Sequence, residues 1–353
     1  MSKLKFLVLG VGGAGCAVLD HIIESGCCEN ITFIAVDTES ETLEQRKAQH
    51  KILLSPKTLW GRDTNKSAKT AGWAAKRAKH DLAGYVADAN MAFIIAGMGR
   101  DTGTGAAPVI AKIIRKMGVL TIGIAYMPFL CDGQNCLETA QSGLENLKKN
   151  VDSMLVVDNE NLVNLPDDTL LFSDAYKMAD EVARQAVLGL TGSLSKNGFI
   201  ELSFSELKAA LRGAGTLLMS LGLGEGDERA KLAIQCAMIS ENFPPLPWEA
   251  AKHIIAIMTT GSDVKLQEVM CVANRIKTNM IPATQLIFGH VIDEEDAGED
   301  IKVMLLITFY PRYQQLLKYE AGSCQQIQDE DDSPILYHSF NAFLEQQAKR
   351  HWI

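Results

Sequence analysis

GMGRDTGTGAAP, Gly97 to Pro108, follows the apolar run NMAFIIA and leads into VIAKIIRKMG. Four glycines and two threonines fall within nine residues of it. Glycine lets the backbone approach a ligand closely, and threonine adds hydroxyl donors. The loop therefore reads as a phosphate cradle between a buried strand and a helix. Arg100 and Asp101 stand in its middle, one attracting phosphate and the other repelling it.

A second glycine turn lies near the start. LKFLVLGVGGAGCAVLDHII reads as strand, turn and helix, with Gly10, Gly12, Gly13 and Gly15 in the turn. By itself this turn also fits a dinucleotide enzyme, because Asp37 ends the next apolar run, NITFIAVD, about 20 residues on. Two such turns change the balance. Two helix N-termini facing one polyphosphate suit a nucleoside di- or triphosphate with Mg²⁺. No Gly-Lys-Ser/Thr follows either turn, so neither is a P-loop.

Outward from these loops, Ala68 to Ala89 reads as one helix, VLTIGIAYMPF as a strand, LETAQSGLENLKKNVD as a helix and SMLVVDN as a strand. Short apolar strands alternating with helices predict a parallel sheet covered on both faces, with ligands at the strands' carboxyl ends. Apolar spacing of three and four from Leu170 to Lys196 predicts a long helix, broken by Asn197-Gly198. FSELKAALRGAG, ERAKLAIQCAMIS and LQEVMCVANRIKT read as helices, and HIIAIMTTG, TQLIFGHVID and KVMLLITFYP as strands of a second α/β unit. The expected division is residues 1–170, a nucleotide-binding domain; 171–196, a central helix; 197–313, a second domain; and 314–353, an acidic linker with a short amphipathic tail.

The chain of 353 residues is 47% hydrophobic and carries a net charge of −9, which argues against nucleic acid or an anionic membrane as its main partner. Its eight cysteines fit no zinc spacing, and the start lacks a small-residue cleavage site. Structural thiols in a reducing, cytoplasmic compartment are expected.

GVGGAG, FIAVDTESETL, GMGRDTGTGAAPVIAKI, VDSMLVVDNENL, DAYKMADEVARQAV and SLGLGEGDERAKLAIQCAMIS stand in the order and at the intervals of FtsZ. From about Lys3 to Phe309 the chain resembles that bacterial and archaeal division GTPase family of the tubulin superfamily. The resemblance implies GTP or GDP with Mg²⁺ as ligands, and head-to-tail stacking of copies into protofilaments. Gly12, Gly13 and Ala14 would lie under the phosphates. Thr102, Gly103, Thr104 and Gly105 would wrap the β- and γ-phosphates, and Gly99, Arg100 and Asp101 of the same loop would belong to the nucleotide site. Asp132 would take the ribose-binding acid's place and Asn159 would touch the base. Tyr176 would stack on guanine, and Asp180 would accept from its N1 and N2 hydrogens. Without the resemblance, Asp180 would read as an ordinary solvated helix residue.

Four departures qualify the carry-over. Two glycines of the family's loop are here Arg100 and Asp101. Its other phosphate loop, G-A-G-G-N, falls on Asp63, Thr64, Asn65, Lys66 and Ser67, and the arginine ending its F-E-G segment falls on Cys136. The pair reads as a rewired phosphate site, with Arg100 offsetting the lost arginine and Mg²⁺ beside Asp101 or Asp63. The alternative is that both side chains point away. The catalytic N-x-D-x-x-D/E, which the next subunit would bring, is here ELSFSE: Glu201 for the asparagine, Ser203 for the first aspartate, Glu206 for the second acid. Slow hydrolysis is expected, or a static filament, or a modulator that co-assembles with a standard FtsZ. The tail would dock on its own body, on an adaptor or on a membrane.

Overall fold

The apolar runs of the first half become strands, and their carboxyl ends hand the chain to helices. The computed structural model describes residues 3–26, 30–54, 67–160, 171–238, 248–293 and 297–313. The order is β1 (Phe6–Val11), α1 (Gly12–Glu24), β2 (Ile31–Asp37), α2 (Ser40–Glu44), β3 (His50–Leu53), α3 (Ala68–Arg77), α4 (Lys79–Val86), β4 (Met91–Gly97), α5 (Asp101–Lys116), β5 (Leu120–Met127), α6 (Gln134–Asn150) and β6 (Ser153–Asp158). Then come α7 (Phe172–Ser195), α8 (Phe204–Leu211), β7 (Gly215–Thr216), β8 (Leu218–Gly224), α9 (Arg229–Met238), β9 (Ala251–Thr260), α10 (Leu266–Asn279), β10 (Gln285–Ile292) and β11 (Ile301–Phe309).

Seven strands form one sheet in the order β3-β2-β1-β4-β5-β6-β7, parallel throughout. The expected parallel sheet is therefore found, and both its faces are buried. One face packs on α1 and α7, the other on α3, α4, α5 and α6. The chain leaves β1 toward β2 on one side and returns at β4 on the other. The carboxyl ends of β1 and β4 thus flank the reversal of strand order, where open sheets bind ligands. Both glycine turns lie there.

The second sheet has the order β10-β9-β11-β8. β10 and β9 are parallel, while β11 runs antiparallel to β9 and β8. One face shares the apolar core of α7, and the other packs on α9 and α10.

Two local readings change. The single helix expected over Ala68 to Ala89 is two, broken where Ala78 takes ψ near 7°. The break lets Ala71, Ala74 and Ala75 of α3 and Leu82 and Val86 of α4 reach the same core. The stretch LMSLGLG, not read as a strand, forms β8. The expected central helix is α7, two residues shorter at its start and one at its end than the Leu170–Lys196 reading. The tail lies outside the described residues.

Candidate nucleotide site

Three helices start at the carboxyl ends of adjacent strands: α1 after β1, α5 after β4 and α6 after β5. None of the three has a side chain capping its first turn. α3 is capped by Ser67, whose oxygen accepts from the Thr70 N–H, while α2, α4, α7 and α8 also start without a side-chain cap. The first N–H groups of a helix have no partner within it, and the dipole favours an anion there. Three uncapped starts clustered at one edge of a sheet present N–H donors of the kind that bind anions.

The first two starts touch. Gly12 has φ +75°, and a Cβ on it would lie 3.0 Å from the Gly103 nitrogen and 3.3 Å from the Thr102 Cβ. Glycine is thus required for both conformation and space. Gly13 and Ala14 are exposed at this edge. The Thr102 and Thr38 hydroxyls lie 2.8 Å apart, so one donates to the other, and the Thr38 hydroxyl also lies 3.5 Å from the Asp37 Oδ1 that can accept its proton. Thr104 is buried and accepts from the Gly99 N–H at 2.9 Å, bracing the turn. Gly105 packs against the Ala68 carbonyl at the start of α3.

Asp37 ends β2 and is buried. Its Oδ1 accepts from the Thr38 N–H at 2.6 Å, and burial pushes its carboxyl above the ordinary range. It holds Thr38 against Thr102. Asp101 lies in the first turn of α5, and Arg100 just before it; among the described residues neither forms an ion pair. Arg100 lies near enough to Cys136 and Tyr176 for its charge to oppose the upward shift that burial gives both. It thus stands near the position where the resemblance places the missing arginine. Asp63, Thr64 and Asn65, with Lys66, lie outside the described residues.

A second group gathers beyond β5 and β6. Asp132 is exposed, with Oδ2 accepting from the Phe129 N–H at 3.1 Å. Tyr176 is 39% exposed, its ring edge-on to Phe129 with centroids 5.7 Å apart. Asn159 is buried, and its Oδ1 has no hydrogen-bond partner among the described residues. A buried acceptor without a donor is costly unless a ligand supplies one. Asp180 lies one helical turn beyond Tyr176 on α7, its Oδ2 3.5 Å from His21 Nδ1 on α1. Burial raises the Asp180 carboxyl and the His21 contact opposes the rise, while that same contact raises His21.

Glu201, Ser203 and Glu206 are not part of this group. Asp180 lies fifteen residues before the end of α7, about 22 Å along a helix, and the three follow beyond that end. Glu201, Ser203 and Glu206 are all exposed. Ser203 shares a hydrogen bond with Ser205, their hydroxyls 2.6 Å apart. The segment before them is fixed along β10: the His290 N–H donates to the Ile200 carbonyl, and the Ile292 N–H to that of Asn197. His290 Nδ1 accepts from the Phe199 N–H at 3.2 Å. Its Nε2 then carries the proton and donates to Thr260. Burial lowers this imidazole, consistent with its neutral form.

Residues 5–167 match the family model described as Tubulin/FtsZ family, GTPase domain, and residues 215–310 match FtsZ family, C-terminal domain. Cell division protein FtsZ 1 of Thermococcus kodakarensis is 34% identical over 307 residues, covering 87% of this chain and 81% of that one. The chain belongs to the FtsZ family. Family membership removes the dinucleotide-enzyme reading, which the sheet order alone would have allowed. Cell division protein FtsZ of Rickettsia conorii is also 34% identical, over 87% of this chain and 68% of its own length. The chain spans only 53% of the FtsZ of Magnetospirillum gryphiswaldense. The solved FtsZ dimer of M. jannaschii superposes with a TM-score of 0.78 at 31% identity, covering 87% of this chain and 88% of that one. The GTPγS-bound protofilament of CetZ2 from Haloferax volcanii shares the fold, with a TM-score of 0.70 at 17% identity over 89% and 97% of the two chains. Among the described residues no helix of this FtsZ-family chain is long and apolar enough to cross a membrane.

Thr38, His21, Phe129 and Glu160 contact the candidate residues or hold their turns without having been singled out in the sequence. Glu160 accepts from the Leu130 N–H at 2.9 Å and so holds the turn that carries Asp132. The contacts of Thr38 with Thr102, His21 with Asp180, Phe129 with Tyr176 and Glu160 with Leu130 span 30 to 159 residues, so no local spacing betrays them.

Proposed function

We propose that this FtsZ-family chain binds GTP at the edge formed by α1, α5 and α6. Copies stack head to tail, and hydrolysis is completed by the ELSFSE acids of the next copy. One observation carries the reading: Tyr176 and Asp180 lie in the first half of α7, while Glu201 and Glu206 lie past its far end. A single chain cannot bring them together.

In this reading the three helix starts take the phosphates, Asn159 and Tyr176 take the base, and Asp180 reads guanine. Guanine presents two adjacent donors, which a carboxylate matches; adenine presents a lone pair there. Among the described residues no group of three or more His, Cys, Asp or Glu could hold a metal. Mg²⁺ would therefore take its oxygens chiefly from the phosphates and water, with Asp101 the candidate carboxylate, and would neutralise phosphate charge. Glu206, in the first turn of α8, and Glu201 are the groups that would orient the attacking water. Ser203 cannot ionise, which favours a second reading: a filament that binds GTP and turns it over little, alone or alongside a standard FtsZ. The deciding experiment is sedimentation with GTP and Mg²⁺ against GDP. Pelleting with GTP is expected; none over a wide range of concentration and salt would remove the filament claim.

Phe199 is 70% exposed and stacks on His290 immediately before the acidic loop. An exposed aromatic on a braced segment is a natural contact for the next copy. Phe199→Asp is expected to raise the concentration needed for pelleting about tenfold, the cost of one lost anchor. GTP affinity of the unassembled chain, by equilibrium binding, should stay within twofold.

The His21–Asp180 pair gives a pH test. His21 is raised on folding, so its contribution to stability is full below the unfolded imidazole value and fades as pH rises through the folded one. Asp180 must be ionised to accept both guanine hydrogens. GTP affinity should therefore fall as pH drops through its raised value. In His21→Ala the fall should begin at higher pH, because the contact that lowers Asp180 is gone. Titrations from pH 5 to 8 would show it; superimposable profiles would sever the pair from base binding.

A further inference from the structure

Where the chain leaves β11, Phe309 and Pro311 line a cleft of about 400 Å³ that is remote from the nucleotide groups. Lys148 and Lys149 from the end of α6, Arg212 after α8 and Lys252 at the start of β9 line it with them, against one acid, Glu145. Among the described residues none of these four cations forms an ion pair. In a chain of net charge −9, four unpaired cations around one cleft stand against the overall charge.

The chain carries a matching group. Residues 329–332 read Asp-Glu-Asp-Asp, and no Lys, Arg or His lies between Gln325 and Pro334. These residues lie outside the described ones, and sixteen positions separate Asp329 from Tyr313. That length reaches roughly 50 Å when extended, and it starts two residues from Pro311, at the rim of the cleft. We propose that the cleft is the docking site of this acidic segment of the same chain. Single exposed ion pairs are weak and salt-screened. Tethering makes binding intramolecular, at an effective concentration that reaches the millimolar range, so four weak contacts act together. Because α6 belongs to the first layer and β9 and β11 to the second sheet, the docked segment would bridge the two.

Carbodiimide cross-linking of the full chain, mapped by mass spectrometry, tests this. Isotopically labelled and unlabelled chains are mixed in equal amounts without nucleotide. The expected products join Lys148, Lys149 or Lys252 to residues 329–332, with both halves from one chain. Their yield should fall at least tenfold between 0.05 and 0.5 M salt. Arg212→Gln, which removes no amine, should lower the same products severalfold; the salt series needs no variant and stands if that one misfolds. Mixed-isotope products would assign the cleft to a second copy. Equal cross-linking to the exposed Lys76, Lys116 and Lys231, or no product with 329–332, would overturn the proposal.

Discussion

Asp180→Ala is expected to weaken GTP binding roughly tenfold to a hundredfold, the worth of about 1.5–3 kcal/mol for hydrogen bonds to a charged acceptor. Affinity for inorganic triphosphate should change little. The carboxylate lies on α7, apart from the uncapped starts of α1 and α5, and its described ionic partner is His21. In the proposed reading, removing it takes away the acceptor for the two guanine donors and leaves the helix starts intact. Preference for GTP over ATP should shrink with it, because that discrimination rests on the same two hydrogens. Isothermal titration with GTP, ATP and triphosphate separates the effects. Unchanged GTP affinity would refute the base role, and an equal loss for all three ligands would mean the variant has disturbed the fold.

Glu206→Gln is expected to lower GTP turnover by about 10²- to 10⁴-fold, the range for losing a positioned acid or base. Pelleting with GTP should persist. Glu201→Gln should cost less unless it has taken over the role that Ser203 cannot perform. If the acids serve the nucleotide of a neighbour, as proposed, mixing Glu206→Gln chains with Asp180→Ala chains should restore part of the turnover. The first binds GTP and lacks the acid; the second has the acid and binds GTP poorly. Phosphate release from the mixture that merely equals the sum of the two would place the acids and the nucleotide in one chain.

The first sheet was legible because its central strands are buried on both faces and therefore appear as unbroken apolar runs, as in FLVLGV and MAFIIAG. β8 was not, although it is equally buried. Its Gly222 and Gly224 look like loop residues in a one-dimensional reading. They lie against α9, where a Cβ on Gly222 would come within 2.0 Å of the Ala233 carbonyl. Close backbone packing, rather than a turn, calls for those glycines. α2 and β3, of five and four residues, were too short to carry a period. The same limit holds at the site. Sequence spacing could mark the two glycine turns, but not that Gly12 meets Gly103 across 91 positions. Nor could it show that His21 meets Asp180. The resemblance named Asp180, Tyr176 and Asn159; the fold adds that Asn159 holds a buried oxygen without a donor. Arg100 is the instructive middle case. Its type suggested a phosphate contact, and its closeness to Cys136 and Tyr176 supports the idea that it stands in for the missing arginine.

The most direct test of shared-site hydrolysis measures phosphate release and pelleting in one tube, with GTP and Mg²⁺, across a series of protein concentrations. If the site is completed by the next copy, release per chain should be near zero at low concentration and rise steeply at the concentration where pelleting begins. Constant release per chain at concentrations where nothing sediments would contradict the account, since it would mean that one chain alone holds a complete site.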